Sequence, residues 1–280
     1  MEYHQNRFDD FSLLVFEKDK LRAVLPANKV NNEVFSHQGL TFGSLILPFD
    51  ISAQEVFDAL DAILTYVKQK GIVSLTLKLI PEFYNKQKAT EVEDYFFHHN
   101  ARVEKELMVL AVDYNKPLTI HKTKRKHYRN NKYPFRIEET GCFEPFWTQV
   151  LVPRLADKHN TKPVHTLAEI TMLQKRFPTY IKQFDIYLDN EILAGITLFE
   201  NETVVKSQYG ATTKKGEKTR ALDYLFLHLI FKYQKEGKQY FSMGTVTEKN
   251  ELGYNPGLKK QKEELGCNLY FQKVLKLHLV

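Results

Sequence analysis

The sequence predicts an α/β (α+β) chain built from two similar halves, each a mixed sheet flanked by helices. Three observations predict it. Strand-like and helix-like segments alternate along all 280 residues, which carry 43% hydrophobic and 26% charged side chains, an ordinary globular composition. Residues tolerant of left-handed backbone recur in register: Phe42-Gly43 with Tyr209-Gly210, Gly71 with Gly237, and Asn100 with Gly266, at offsets of 166 or 167 residues. A segment without acids lies between the halves.

In the first half, Ser12–Phe16 and Leu21–Lys29 flank a turn at Asp19-Lys20 and read as paired strands. Phe35–Leu47 reads as a further strand region. A helix follows, with Asp50 or Ser52 as its cap, Ser52 and Glu55 at capping-box spacing, and Val56, Leu60, Ile63, Leu64 and Val67 on one face. Gly71 ends it. Ile72–Ile80 is a strand, Thr90–His99 a helix closed by Asn100, and Glu106–Val112 a strand. In the second half, Phe143–Asp157 is an amphipathic helix carrying Phe146, Trp147, Val150 and Leu151. Thr166 and Glu169 have capping-box spacing before another. Phe184–Leu188 and Leu193–Glu200 form a hairpin over Asp189-Asn190, and Thr203–Ala211 is a strand. Thr219–Glu236 is a helix ended by Gly237, and Lys238–Met243 a strand. Asn255–Leu265 is a helix ended by Gly266, and Cys267–Leu279 the last strand. The expected domains are 1–115 and 141–280, with residues 116–140 as a basic linker helix.

Charge sharpens the reading. Lys116, Lys122, Lys124, Arg125, Lys126, Arg129, Lys132 and Arg136 give eight positive charges and no acid in one segment, against a net +6 for the chain. Such a run attracts phosphates, anionic substrates or nucleic acid; a solvated connector is the plainer alternative. No apolar run approaches the roughly 20 residues of a membrane helix. The N-terminus is too polar for a signal peptide, so a cytoplasmic protein without membrane insertion is expected. Cys142 and Cys267 read as free thiols in a reducing compartment, and both are expected to be small buried hydrophobes.

Standard nucleophile and metal signatures, among them GxSxG, HExxH and GxGxxG, are absent, and no metal is expected. His98 and His99 point to different helix faces, and His159 and His165 are poorly spaced as ligands. Gly210 to Thr219 imitates a Walker A loop but places five residues between its glycines and Glu217 at the lysine position. Lys214, Lys215, Lys218 and Arg220 crowd a helix N-terminus, where amides and the dipole favour anions.

Asn255, Leu258, Lys262 and Gly266 fall at i, i+3, i+7 and i+11. This resembles the last helix of GNAT acyltransferases, Asn-x-x-Ala-x-x-x-Tyr-x-x-x-Gly-Phe, with Lys262 where those enzymes often carry a Tyr general acid. Tyr209 to Gly237 is similar to the GNAT pyrophosphate-binding element. Against its Gln/Arg-x-x-Gly-x-Gly/Ala loop, Gly216-Glu-Lys-Thr219-Arg-Ala221 matches only at Ala221. Two GNAT-like halves with a divergent donor loop resemble the FemABX-type tandem proteins, which add amino acids from aminoacyl-tRNA to peptidoglycan precursors and have relatives in polysaccharide loci. Ser36–Gly43 resembles that branch's glycine strand, and His121–Asn131 its basic connector helix.

The resemblance implies acyl or aminoacyl transfer to an amine or hydroxyl, with acyl-CoA (acetyl-CoA) or aminoacyl-tRNA as co-substrate and no tightly bound cofactor. Gly210, Ala211, Thr212, Lys214, Lys215, Gly216, Lys218, Thr219, Arg220 and Asn255 are the expected donor-binding residues. Glu248 is the candidate base and Tyr209 its catalytic companion. His165 and Tyr254 are candidates for the acceptor side, a small molecule or a glycan or peptide of the cell envelope. Lys122, Lys124, Arg125, Lys126 and Arg129 are the expected tRNA contacts. The alternatives are a catalytically silent tandem-GNAT binding protein and a nucleic-acid-binding protein.

Overall fold

The computed structural model describes residues 7–41, 43–85 and 90–279. The chain forms two compact units, Met1–Met108 with Phe271–Val280 and Val109–Tyr270. Most of the last strand, from Phe271 on, groups with the first unit.

In the first unit, β1 (Asp9–Asp10), β4 (Asn28–Val30), β5 (Glu33–Phe35) and β6 (Ser74–Lys78) form a mixed sheet; β2 (Leu13–Glu17) and β3 (Lys20–Leu25) form a separate hairpin. Helix α1 (Ala53–Gln69) starts at a complete capping box of Ser52 and Glu55. Its apolar face, Val56, Leu60, Ile63, Leu64 and Val67, is buried in the unit's core. Gly71 ends it in the left-handed region, at φ 69°. Because α1 carries the chain back, β5 and β6 pair in parallel, Glu33–Phe35 against Ser74–Thr76. Helix α2 (Glu91–His98) ends at Asn100, φ 61°. The strand expected over Phe35–Leu47 stops at Phe35. Beyond it, Ser36 Oγ accepts from the Lys78 amide at 2.8 Å, and the buried Asn28 carboxamide takes the Gln38 amide at 2.7 Å. Side chains have replaced the ladder. Phe42 lies outside the described residues.

Strand β7 (Arg102–Asp113) leads into the second unit. There α3 spans Lys122–Arg129 and β8 Arg136–Thr140, so the expected linker helix is a short helix followed by an edge strand. Helix α4 (Glu144–Phe146), π-helical turns over Trp147–Leu151 and α5 (Val152–His159) form one rod. Pro153 lacks the N–H an α-helix would use, which accommodates the wide turn before it. Helix α6 (Leu167–Arg176) begins at the Thr166–Glu169 capping box. Strands β9 (Ile181–Leu188), β10 (Glu191–Glu200), β11 (Val204–Thr212) and β12 (Tyr240–Thr245) complete the sheet in the order β7-β12-β11-β10-β9-β8. The helix expected over Thr219–Glu236 is two helices, α7 (Lys214–Thr219) and α8 (Ala221–Lys235), broken by left-handed Arg220 at φ 57°. Helix α9 (Pro256–Glu264) precedes β13 (Asn268–His278), whose residues Val274–His278 pair with β6. Cys142 is exposed and Cys267 buried, both as free thiols; burial pushes the Cys267 thiol up to about 12.

Candidate functional site

The second unit opens its sheet where the first does not. Strands β11 and β12 pair in parallel over Val204–Lys206 and Tyr240–Ser242, and the ladder stops there. A bulge on β11 helps to part them. Thr197 of β10 pairs with Tyr209 and Leu198 with Ser207, leaving Gln208 as the extra residue. Gly244, at φ 70°, turns the end of β12.

At this parting the structure brings together two residues expected from the sequence. The Tyr209 hydroxyl lies 2.6 Å from His165 Nδ1 and accepts the His165 amide at 3.1 Å. Trp147, from the π-helical turns, meets the Tyr209 ring edge-on at 5.2 Å, and its indole N–H points at the His165 carbonyl at 3.4 Å. His165 is buried and Tyr209 half-buried. A phenol held against an imidazole in a largely apolar setting can pass or hold a proton.

The β12 wall is fixed by Lys262 of α9. This residue is buried, only 6% exposed, and its ammonium donates to the carbonyls of Thr245 at 2.9 Å and Gly244 at 3.3 Å. Burial lowers its pKa to about 8. Lys262 therefore does not lie on a solvated helix face.

Behind the Tyr209 strand lies a polar row that the sequence reading missed. Thr197 Oγ1 donates to Gln183 Oε1 at 2.6 Å, and Gln183 Nε2 donates to Asp185 Oδ1 at 2.6 Å; all three are fully buried. Burial raises the Asp185 carboxyl to about 6. Gly195 leaves the space for it, since a Cβ there would meet Phe146 and Asp185. The signal was present: Gln183 and Asp185 are polar residues at alternate positions of a strand whose other residues include Phe184, Ile186 and Leu188.

The expected donor loop is built differently. Lys214–Thr219 is helical, and Thr213 Oγ1 already takes the Gly216 amide at 3.0 Å. Gly216 is buried against Leu193 and Thr212, where a Cβ has no room. Thr212 Oγ1 donates to Leu193 O at 3.0 Å and Thr219 Oγ1 to Lys215 O at 3.1 Å. Lys215 pairs with Glu191 at 2.5 Å, and Arg220 with Asp223 at 3.0 Å. Lys214 and Lys218 are exposed, Ala211 is buried, and Gly210 lies against Phe226. In this turn the Gly216 and Glu217 amides are both taken by Thr213. Asn255 caps α9 by accepting the Leu258 amide at 2.9 Å. Glu248 lies exposed in the loop after β12, where its carboxylate accepts from Asn250 at 3.2 Å and Tyr254 bridges to Thr247. In the basic segment, Lys124 is buried in an ion pair with Asp223 at 2.8 Å, and Arg125 donates to Leu118 O at 3.3 Å, so these two are committed within the protein. Lys122, Lys126 and Arg129 are exposed.

Each unit thus carries a parallel strand pair joined by a crossover helix and followed by a further helix and strand, and in the second unit the pair parts. No family model and no curated protein matches the chain. Solved structures do. The chain is similar to FemX, at TM-score 0.67 and 12% identity over 97% of this chain and 88% of that one. It is similar to the C-terminal domain of a putative lysylphosphatidylglycerol synthetase from Agrobacterium fabrum, at TM-score 0.63 and 10% identity over 94% and 84%. It also matches a tandem GNAT protein from the clavulanic acid biosynthesis pathway, at TM-score 0.53 and 8% identity over 96% and 82%. The fold is therefore the tandem GNAT fold of FemX-like proteins.

Proposed function

We propose that the second unit transfers an aminoacyl group from an activated ester to an amine or hydroxyl. The observation that carries this reading is the Tyr209–His165 pair at the parting of β11 and β12. A donor ester enters the gap with its carbonyl beside the unpaired edges of the two strands. The acceptor nitrogen or oxygen attacks the carbonyl carbon and passes its proton to the Tyr209–His165 pair. The tetrahedral oxyanion collapses, the ester C–O bond breaks, and the leaving oxygen takes up a proton. Positioning and backbone N–H donors supply most of the acceleration.

The donor favoured is an aminoacyl-tRNA rather than acyl-CoA. The Gly216 amide that would meet a pyrophosphate is taken by Thr213, whereas exposed Lys122, Lys126 and Arg129 offer charge to RNA phosphates. The similarity to FemX and to a lysylphosphatidylglycerol synthetase supports this reading at the level of the fold. A cell-envelope acceptor follows from the same resemblance.

The test supplies mixed aminoacyl-tRNA, or acetyl-CoA, with hydroxylamine as a small acceptor, and follows hydroxamate formation above the uncatalysed rate. Hydroxamate from aminoacyl-tRNA alone, lost in Tyr209→Phe, is expected. Formation from acetyl-CoA instead reassigns the donor, and formation from neither removes the reading.

A further inference from the structure

We infer that the corner formed by α3, the segment after it and α8 is a stacking platform for single-stranded RNA, with Tyr133 as its outermost base contact. This inference rests on the aminoacyl-donor reading for its choice of RNA, but the surface itself is read from the structure.

The platform is a run of touching rings. Tyr133 stacks on Phe135 with centroids 5.4 Å apart and planes 28° apart. Phe135 meets Tyr224 at 5.2 Å, and Tyr224 meets Tyr128 of α3 at 4.7 Å. Tyr128 continues to Phe231 at 5.4 Å. Most of these rings are half-buried, and Tyr133 keeps 39% of its surface in solvent. A core would bury these rings fully, whereas a line of half-open aromatics beside cations suits bases and phosphates together.

Tyr133 is held in place. Asn131 Nδ2 donates to the Tyr133 carbonyl at 2.6 Å, the Tyr133 amide donates back to Asn131 Oδ1 at 3.2 Å, and the Phe135 amide closes onto Tyr133 O at 2.8 Å. Pro134 stiffens the same segment. The ring is therefore pre-set before any ligand arrives, which lowers the entropy cost of stacking on it.

The surrounding charge is of one sign. Lys122, Lys126, Arg129 and Lys132 are exposed around the rings. The acids nearby are already engaged: Asp223 by Lys124 and Arg220, Glu138 by Arg136, and Glu139 by Lys182 and Lys232. The Lys124–Asp223 pair also ties α3 to the first turn of α8, which follows β11 and the short helix α7.

The experiment measures fluorescence anisotropy of a labelled 12-nucleotide single-stranded RNA, its duplex, and anionic vesicles with the full-length protein across a salt series. Single-stranded RNA is expected to bind more tightly than duplex. Tyr133→Ala should weaken it about tenfold, the order expected for one lost base stack. Tyr133→Phe should keep it, and Tyr180→Ala, at another exposed aromatic, should leave it unchanged. The triple variant Lys122→Glu, Lys126→Glu, Arg129→Glu should flatten the slope of log K against log salt by about 2, three phosphates' worth for a single strand. Equal binding of duplex or vesicles, no RNA binding, or no change in Tyr133→Ala overturns the platform. Hydroxamate formation from aminoacyl-tRNA that persists in Tyr133→Ala with unchanged RNA affinity removes the platform and leaves the transfer reading standing. Platform binding without transfer from any donor does the reverse.

Discussion

The two units use the same device and finish it differently. In each, a strand, a long helix and a returning strand make a parallel pair: β5 with β6, and β11 with β12. In each, the helix ends at a left-handed glycine, Gly71 or Gly237. After β5 the chain folds over the end of its own pair, pinned by Asn28 and by the Ser36–Lys78 contact. After β11 the strand continues past a bulge and leaves its partner, and Tyr209, His165 and Trp147 gather there. A parallel pair with a crossover helix thus makes a gap with no added element. In the first unit local side-chain hydrogen bonds close the end of the pair; in the second the gap is where the proposed transfer would take place.

That contrast breaks most directly at Tyr209. Tyr209→Phe removes the hydroxyl that holds His165 and should slow transfer by 10²–10³-fold, about 3–4 kcal/mol in the barrier. Its melting temperature should fall by only a few degrees. Ser36→Ala in the first unit should do the opposite, leaving the rate alone and costing about 1–2 kcal/mol of stability by stranding the Lys78 amide. Equal losses of rate from both would mean that the first unit also takes part in transfer.

Lys124→Ala tests whether that lysine belongs to the scaffold. Removing it leaves Asp223 largely buried with Arg220 as its remaining ion-pair partner among the described residues, so roughly 3 kcal/mol of stability should be lost in chemical denaturation. The Lys124→Met, Asp223→Leu double variant should recover most of it. A Lys124→Ala protein of normal stability with weakened RNA binding would instead return Lys124 to the ligand surface.

Asp185 supplies a pH test confined to the second unit. Its carboxyl is raised from 3.8 to about 6 in the folded protein, because burial disfavours the charged form. The folded state therefore holds this proton more tightly than the unfolded state. Its contribution is fully present below about pH 4 and is lost as pH rises from there through 6. Relative to Asp185→Asn, the wild type should lose up to roughly 3 kcal/mol between pH 4 and pH 7, since holding a proton one pH unit longer is worth about 1.4 kcal/mol. A constant difference across that range would show Asp185 to be ionised in the fold.

The helix punctuation was readable from the sequence because it is local. Ser52 with Glu55 and Thr166 with Glu169 cap as their spacing requires, and Gly71, Asn100, Gly237 and Gly266 all take positive φ. Tyr209 and His165 were readable only as separate candidates, 44 positions apart, since nothing local states that a loop residue will reach a strand. Lys124 and Lys262 look like solvated cations by composition; only the tertiary partners Asp223 and the β12 carbonyls show them buried. In the expected donor loop, Gly216 packs so closely on β10 and Thr212 that a Cβ has no room, a constraint set by tertiary contacts and not by local sequence.

The finest comparison sets Gly43 against Gly210, the glycines in register in the two halves. A Cβ on Gly43 would run into the backbone carbonyl of Ser36, a residue tied to β6 by its amide to Thr76 O and by its Oγ from the Lys78 amide. Gly43→Ala must therefore push the closing segment off the pair, at about 1–3 kcal/mol. A Cβ on Gly210 would come within 3.1 Å of Phe226 Cζ, the far end of a ring that can tilt. Gly210→Ala should cost below about 1 kcal/mol, and the smaller entropy of the unfolded alanine chain returns part of even that. Thermal denaturation of the two variants side by side measures the difference. Near-equal losses would mean that β11 is held as rigidly beyond the parting as the chain after β5, and the second unit would then lack the freedom to admit a donor between its strands.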